Sequence, residues 1–186
     1  MPVLTGMASS ALMTFVMVAA PLAMVFICGH STGDAANAIQ WHIISMFAPS
    51  FVTGSIINRI GTHLTAAMGL LLILASAAIA LSGTTTLHFD IGLMFLGVGW
   101  NFGFIGSTVM LTRAYRPEEG ARVQALNEQM VFGVMALASI GAGVLLNTFG
   151  WEAINMMVMP VITAMLVLLV WDDLRRRRTQ DLATTT

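Results

Sequence analysis

The chain contains no lysine, a single cysteine and a single tyrosine, and only 9% of its 186 residues are charged. Each shortage excludes something. Soluble domains carry about 25% charged residues because their surfaces face water, so most of this surface faces something else. The lone thiol, Cys28, lies in an apolar run, which rules out a disulfide framework and any multi-cysteine metal site. The first apolar run has no basic stretch before it, so no cleavable leader is read. No G-x-S-x-G, H-E-x-x-H, phosphate-binding loop or haem-type histidine pair is present. No catalytic residue, cofactor, metal or nucleic-acid partner is therefore assigned.

What the chain has is apolar length. Apolar residues make up 57% of it, and a helix needs about 20 of them to cross the hydrocarbon core. Six stretches qualify, near 7–28, 38–57, 63–82, 90–111, 121–147 and 151–171. They form one transmembrane domain over 1–174, followed by a basic tail at 175–186. The breaks between them are short: HSTGD, NRIGT, SGTTT, RAYRPEEG and NTFGWE. The expected fold is therefore an all-α membrane protein of six antiparallel transmembrane helices.

The eight arginines orient it. Arg59 lies in the second connection, Arg113, Arg116 and Arg122 lie at the fourth, and Arg175 to Arg178 follow the last span. The first, third and fifth connections have none. Basic residues stay inside during insertion, so both termini are expected in the cytoplasm. Pro117, Glu118 and Glu119 suit the start of the fifth helix. Trp41, Trp151 and Trp171 fall near span ends, as interfacial aromatics do.

Polar residues at membrane depth mark helix contacts or a transport path. Here they are Gln40 and His42 in the second span, Trp100 and Asn101 in the fourth, Gln124, Asn127 and Glu128 in the fifth, and Asn155 in the sixth. Glu128 reads either as a coupling or gating carboxylate or as an interfacial one paired with Arg113 or Arg122. His42 reads as a proton carrier or as a hydrogen-bonding residue at the rim. Gly97, Gly99, Gly103 and Gly106 strip bulk from the fourth span, which permits close backbone approach and equally the bending and sliding of a moving bundle. Pro21, Pro49 and Pro160 fall within spans and are expected to kink them.

Gly54-Ser-Ile-Ile-Asn58-Arg59-Ile-Gly61-Thr62, at the second connection, resembles the G-x-x-x-D-R-x-G-R loop signature of the major facilitator superfamily. Gly54, Arg59 and Gly61 match, while Asn58 replaces the aspartate and Thr62 the final arginine. The stretches ICGHSTGDAANAIQWHIISMFAPSFVTGSIINRIG and RAYRPEEGARVQALNEQMVFG also look like C-terminal halves of bacterial members. The resemblance implies one half of that fold, a 3+3 inverted repeat, in a secondary transporter of alternating-access type. It gives Gly54, Asn58, Arg59 and Gly61 a gating role and makes Trp100 and Asn101 cavity residues. It also implies a bacterial inner membrane, a small solute and proton coupling as one option. One half cannot enclose such a cavity, so a fragment or half-transporter is expected, completed by an N-terminal six-helix half or a second copy. The competing reading is a non-transporting membrane scaffold.

Overall fold

The computed structural model describes residues 1–184, with side chains through Arg175. The rest of the basic tail lies outside the described side chains. Among the described residues all regular structure is helical. Helix α1 (Pro2–Leu22) continues into a wider π turn at Ala23–Ile27. Then come α2 (Thr32–Phe47), α3 (Ser50–Ile60), α4 (Thr62–Ser82), α5 (Thr86–Thr112), a 3-10 turn at Pro117–Glu119 and α6 (Gly120–Thr184). Four helical stretches are long and apolar enough to cross a bilayer, or five if α2 and α3, bent by 43° at their junction, count as one. The chain is a multi-pass membrane protein.

The differences from the sequence reading have local causes. The second span is broken at Pro49, whose ring removes the N–H that the Ser45 carbonyl would have received. Pro21 remains inside α1 and is followed by the π turn, and Pro160 sits within α6 without a break. The expected NTFGWE connection shrinks to Gly150, the one residue in α6 with non-helical backbone. Its φ of 80° lies in the left-handed region that glycine enters without a Cβ penalty.

Gly150 reverses the chain. Val123 and Leu126 share a cavity with Leu111, Ala114 and Tyr115, while Leu169 and Leu174 share another with Arg113, Ile60 and Leu64. In an unbroken helix, at about 1.5 Å per residue, Val123 and Val170 would lie about 70 Å apart. Instead both flank the turn after α5, so the two arms of α6 fold back on one another.

The connections sort to opposite ends of the bundle. At one end the His30 ring nitrogen Nε2 donates to the Thr84 carbonyl at 2.7 Å, and Phe89 packs on Trp151 at 5.1 Å between ring centres. Trp151 is therefore buried rather than interfacial, unlike Trp41 and Trp171, which are exposed. At the other end His63 meets Asp172 at 3.3 Å. The arginine-bearing connections gather at this second end, around a cavity of about 360 Å³ that Arg113 helps to line.

Two helix starts are fixed by side chains. At α2 the Ser31 hydroxyl accepts from the Asp34 N–H at 3.1 Å, and the Asp34 carboxylate accepts from the Ser31 hydroxyl at 2.7 Å and from its N–H at 3.1 Å. Before α6, Pro117 opens the turn and Glu119 accepts from the Arg116 N–H at 3.3 Å.

Helix α5 is the axis of the packing, and its glycines face three different neighbours. A Cβ on Gly97 would come within 2.7 Å of the His42 carbonyl oxygen on α2, and one on Gly99 within 2.8 Å of the Gly69 carbonyl oxygen on α4. A Cβ on Gly103 would meet Ser9 on α1, and Gly106 faces Ala66 on α4. Without side chains at these positions, α1, α2 and α4 all reach the α5 backbone.

Candidate functional site

Leu93, Gly97 and Asn101 recur every four residues on α5 and form a stripe facing α2 and α3. At Leu93 the backbone carbonyl meets His42 Nδ1 at 2.8 Å. A carbonyl only accepts, so Nδ1 carries a proton, and in the neutral ring Nε2 then keeps a lone pair. The His42 side chain is fully buried, and Nε2 has no protein partner among the described residues.

One turn beyond Gly97, Asn101 reaches the break between α2 and α3. Met46 lies in the last turn of α2, where intrahelical donors run out. Asn101 Nδ2 donates to the Met46 carbonyl at 2.8 Å and to Ser50 Oγ at 2.7 Å. Thr53 Oγ1 lies 2.7 Å from Asn101 Oδ1 and 2.8 Å from the Pro49 carbonyl. Its one proton serves whichever acceptor it faces. Asn101 and Thr53 are both buried while Ser50 is exposed, so the clasp reaches from the core to the edge of α3. The sequence reading treated Asn101 as a cavity residue and did not single out Ser50 or Thr53. The usable signal was Pro49, since a proline inside a span obliges some group to serve the freed backbone.

The remaining expected residues divide into separate groups. Trp100 turns toward α1, donating from Nε1 to Ser10 Oγ at 3.2 Å, stacking on Phe104 and meeting Phe47 edge-on. Gln40 is exposed. On α6, Gln124 donates to the Tyr115 hydroxyl at 2.8 Å, Asn127 is buried and Glu128 is half-buried. Among the described residues Glu128 makes no ion pair, so neither Arg113 nor Arg122 holds it. Asn155 donates to the Trp151 carbonyl within its own helix.

The signature residues form an open edge. Gly54, Asn58 and Arg59 are exposed, and nothing lies within 4 Å of where a Gly54 Cβ would stand. Gly61, at φ 88°, is the one-residue joint between α3 and α4. Its N–H donates to Ile57, and its carbonyl accepts from the Thr65 N–H and hydroxyl.

An all-helical bundle with a broken span, polar groups at membrane depth and a glycine-jointed loop at one end defines a polytopic membrane protein with transporter-like architecture. The family model described as Major Facilitator Superfamily matches residues 3–185, and the chain belongs to that family. It is 52% identical over 168 residues to the riboflavin transporter RfnT of Brucella anthropi, covering 90% of this chain and 42% of that protein. Two MFS-type transporters of Bacillus subtilis are also similar. YddS is 31% identical over 134 residues, covering 71% of this chain and 29% of that protein. YdeG is 32% identical over 119 residues, covering 63% and 27%. The chain thus spans under half the length of these relatives. No solved structure matches it.

Proposed function

We propose that this chain is one six-helix half of a secondary transporter that carries riboflavin or a closely related flavin by alternating access. The observation that carries the reading is the 52% identity to a riboflavin transporter, sustained over 90% of the chain. Six crossings follow if α2 with α3 makes one bent span and the two arms of α6 make two. The gathering of arginine-bearing connections at one end supports an inner-membrane orientation with both termini in the cytoplasm.

A second six-helix bundle completes the transport unit, supplied either by a longer polypeptide or by a second copy. Apolar side chains left exposed on α2–α3 and on the first arm of α6, among them Phe47, Phe51, Phe132 and Ile140, suit such packing as well as lipid. In this reading Gly54, Asn58, Arg59 and Gly61 brace the cytoplasmic gate. Trp100 lies toward the cavity, His42 Nε2 and Glu128 are candidates for proton coupling, and Gln40, Gln124 and Asn127 are neighbouring polar groups. Asn101 acts through the helix break.

A chimera tests this reading. The matched 168-residue stretch of the Brucella protein is replaced by the corresponding stretch of this chain, and riboflavin uptake is measured in cells that depend on imported riboflavin. Uptake retained at near the parental rate is expected. A correctly inserted chimera that takes up no riboflavin would contradict the assignment.

A further inference from the structure

We propose that the junction at Ala48–Pro49 is a hinge and that Asn101 is its latch, so that α3 and the signature loop swing as one arm. The proposal rests on how unequally the two halves of the broken span are attached to α5. It does not depend on which solute is carried.

Helix α2 is fixed. The would-be Cβ of Gly97 lies 2.7 Å from the His42 carbonyl oxygen and 3.0 Å from the Met46 nitrogen, so the α2 and α5 backbones touch. The His42–Leu93 hydrogen bond pins the same interface one turn earlier. Helix α3 has nothing comparable. Of its 11 residues only Thr53 and Ile57 are buried, while Phe51 is 91% exposed and Val52 54%. Its polar attachment to α5 is the Asn101 side chain, which reaches Ser50 and Thr53.

The hydrogen bonds make this attachment reversible. When Asn101 lets go, the Thr53 hydroxyl still has the Pro49 carbonyl of its own helix at 2.8 Å. Ser50 is exposed, so its hydroxyl is not enclosed by the protein. Among the described residues the buried group that loses its hydrogen bond is Asn101 Oδ1, so opening the latch costs about one net hydrogen bond. The Met46 carbonyl, on the fixed side, marks where the arm pivots. At the far end Gly61, with φ 88°, lets the arm turn relative to α4 without a Cβ clash.

The test uses paired spin labels on the full chain in lipid nanodiscs, with Cys28→Ser removing the native thiol. One pair is placed at Ser55 on α3 and Leu71 on α4, a second at Ile43 on α2 and Leu71, all positions being exposed. Thr53→Val keeps the side-chain shape and removes only the hydroxyl, and Asn101→Leu removes the whole latch. Both variants are expected to enlarge a minor, displaced population in the Ser55–Leu71 distances while leaving Ile43–Leu71 unchanged. In Thr53→Val that population grows roughly fivefold, the shift produced by losing about one net hydrogen bond. Thr53→Ser, which retains the hydroxyl, keeps the parental distribution. The hinge is overturned if the Ser55–Leu71 distances are unchanged in both variants. It is equally overturned if the two pairs broaden together, because the whole span would then be loosening instead of the arm.

Discussion

Replacing Gly69 with valine is expected to abolish the folded bundle. A Cβ at Gly69 would lie 2.5 Å from the Gly103 nitrogen and 2.6 Å from the Gly99 carbonyl oxygen. Both obstacles are backbone, and no rotamer change can clear them. Helices α4 and α5 would have to separate along their crossing, withdrawing Leu70 and Ile73 from the core they share with Leu96. Overpacking of a well-packed core costs about 1–3 kcal/mol even where side chains can yield, and here they cannot. Gly133 and Gly143, on the first arm of α6, have nothing within 4 Å of a would-be Cβ. Alanine at either should be neutral or slightly stabilising, since glycine in a helix interior costs about 1 kcal/mol relative to alanine. Thermal unfolding in detergent, followed by circular dichroism and size exclusion, separates the cases. A Gly69→Val protein that melts with the parent would show that α4 and α5 do not cross at this point.

Glu128→Gln is expected to abolish proton-driven uptake while sparing solute exchange. The carboxylate is half-buried two turns into α6 and makes no ion pair among the described residues. An ionisable group at membrane depth is costly and marks a functional site, which makes Glu128 the residue on which the proposed coupling is tested. Glutamine preserves the shape and removes the ionisable group. Flux into vesicles reconstituted with the complete transporter, with and without a pH gradient, distinguishes driven uptake from exchange. Driven uptake that persists in the variant would remove Glu128 from the coupling path.

The all-helical, multi-pass character was legible because apolar length is a property of the one-dimensional chain. The glycines of α5 were correctly read as packing positions, but not as facing three different helices, since helical spacing alone does not name the partner. Asn101 shows where reading stops. Its depth marked it as exceptional, yet its contacts depend on the helix break at Pro49, 52 positions earlier, beside which it meets the Met46 carbonyl and Ser50. Trp151 shows the reverse error. Its position near a span end suggested an interfacial anchor, whereas the tight turn at Gly150 tucks it against Phe89. The fifth connection was misjudged for the same reason, because a single left-handed glycine replaced the loop that the six residues NTFGWE had suggested.

Thiol accessibility from each side of the membrane tests the six-crossing arrangement directly. Single cysteines at Thr85, Ala114 and Thr148, all exposed, are introduced into a Cys28→Ser background and treated with an impermeant reagent in right-side-out and inverted vesicles. Thr85 and Thr148 should react only from the periplasmic face and Ala114 only from the cytoplasmic face. Labelling of Thr85 and Ala114 from the same side would contradict the arrangement, as would Thr148 labelling together with Ala114.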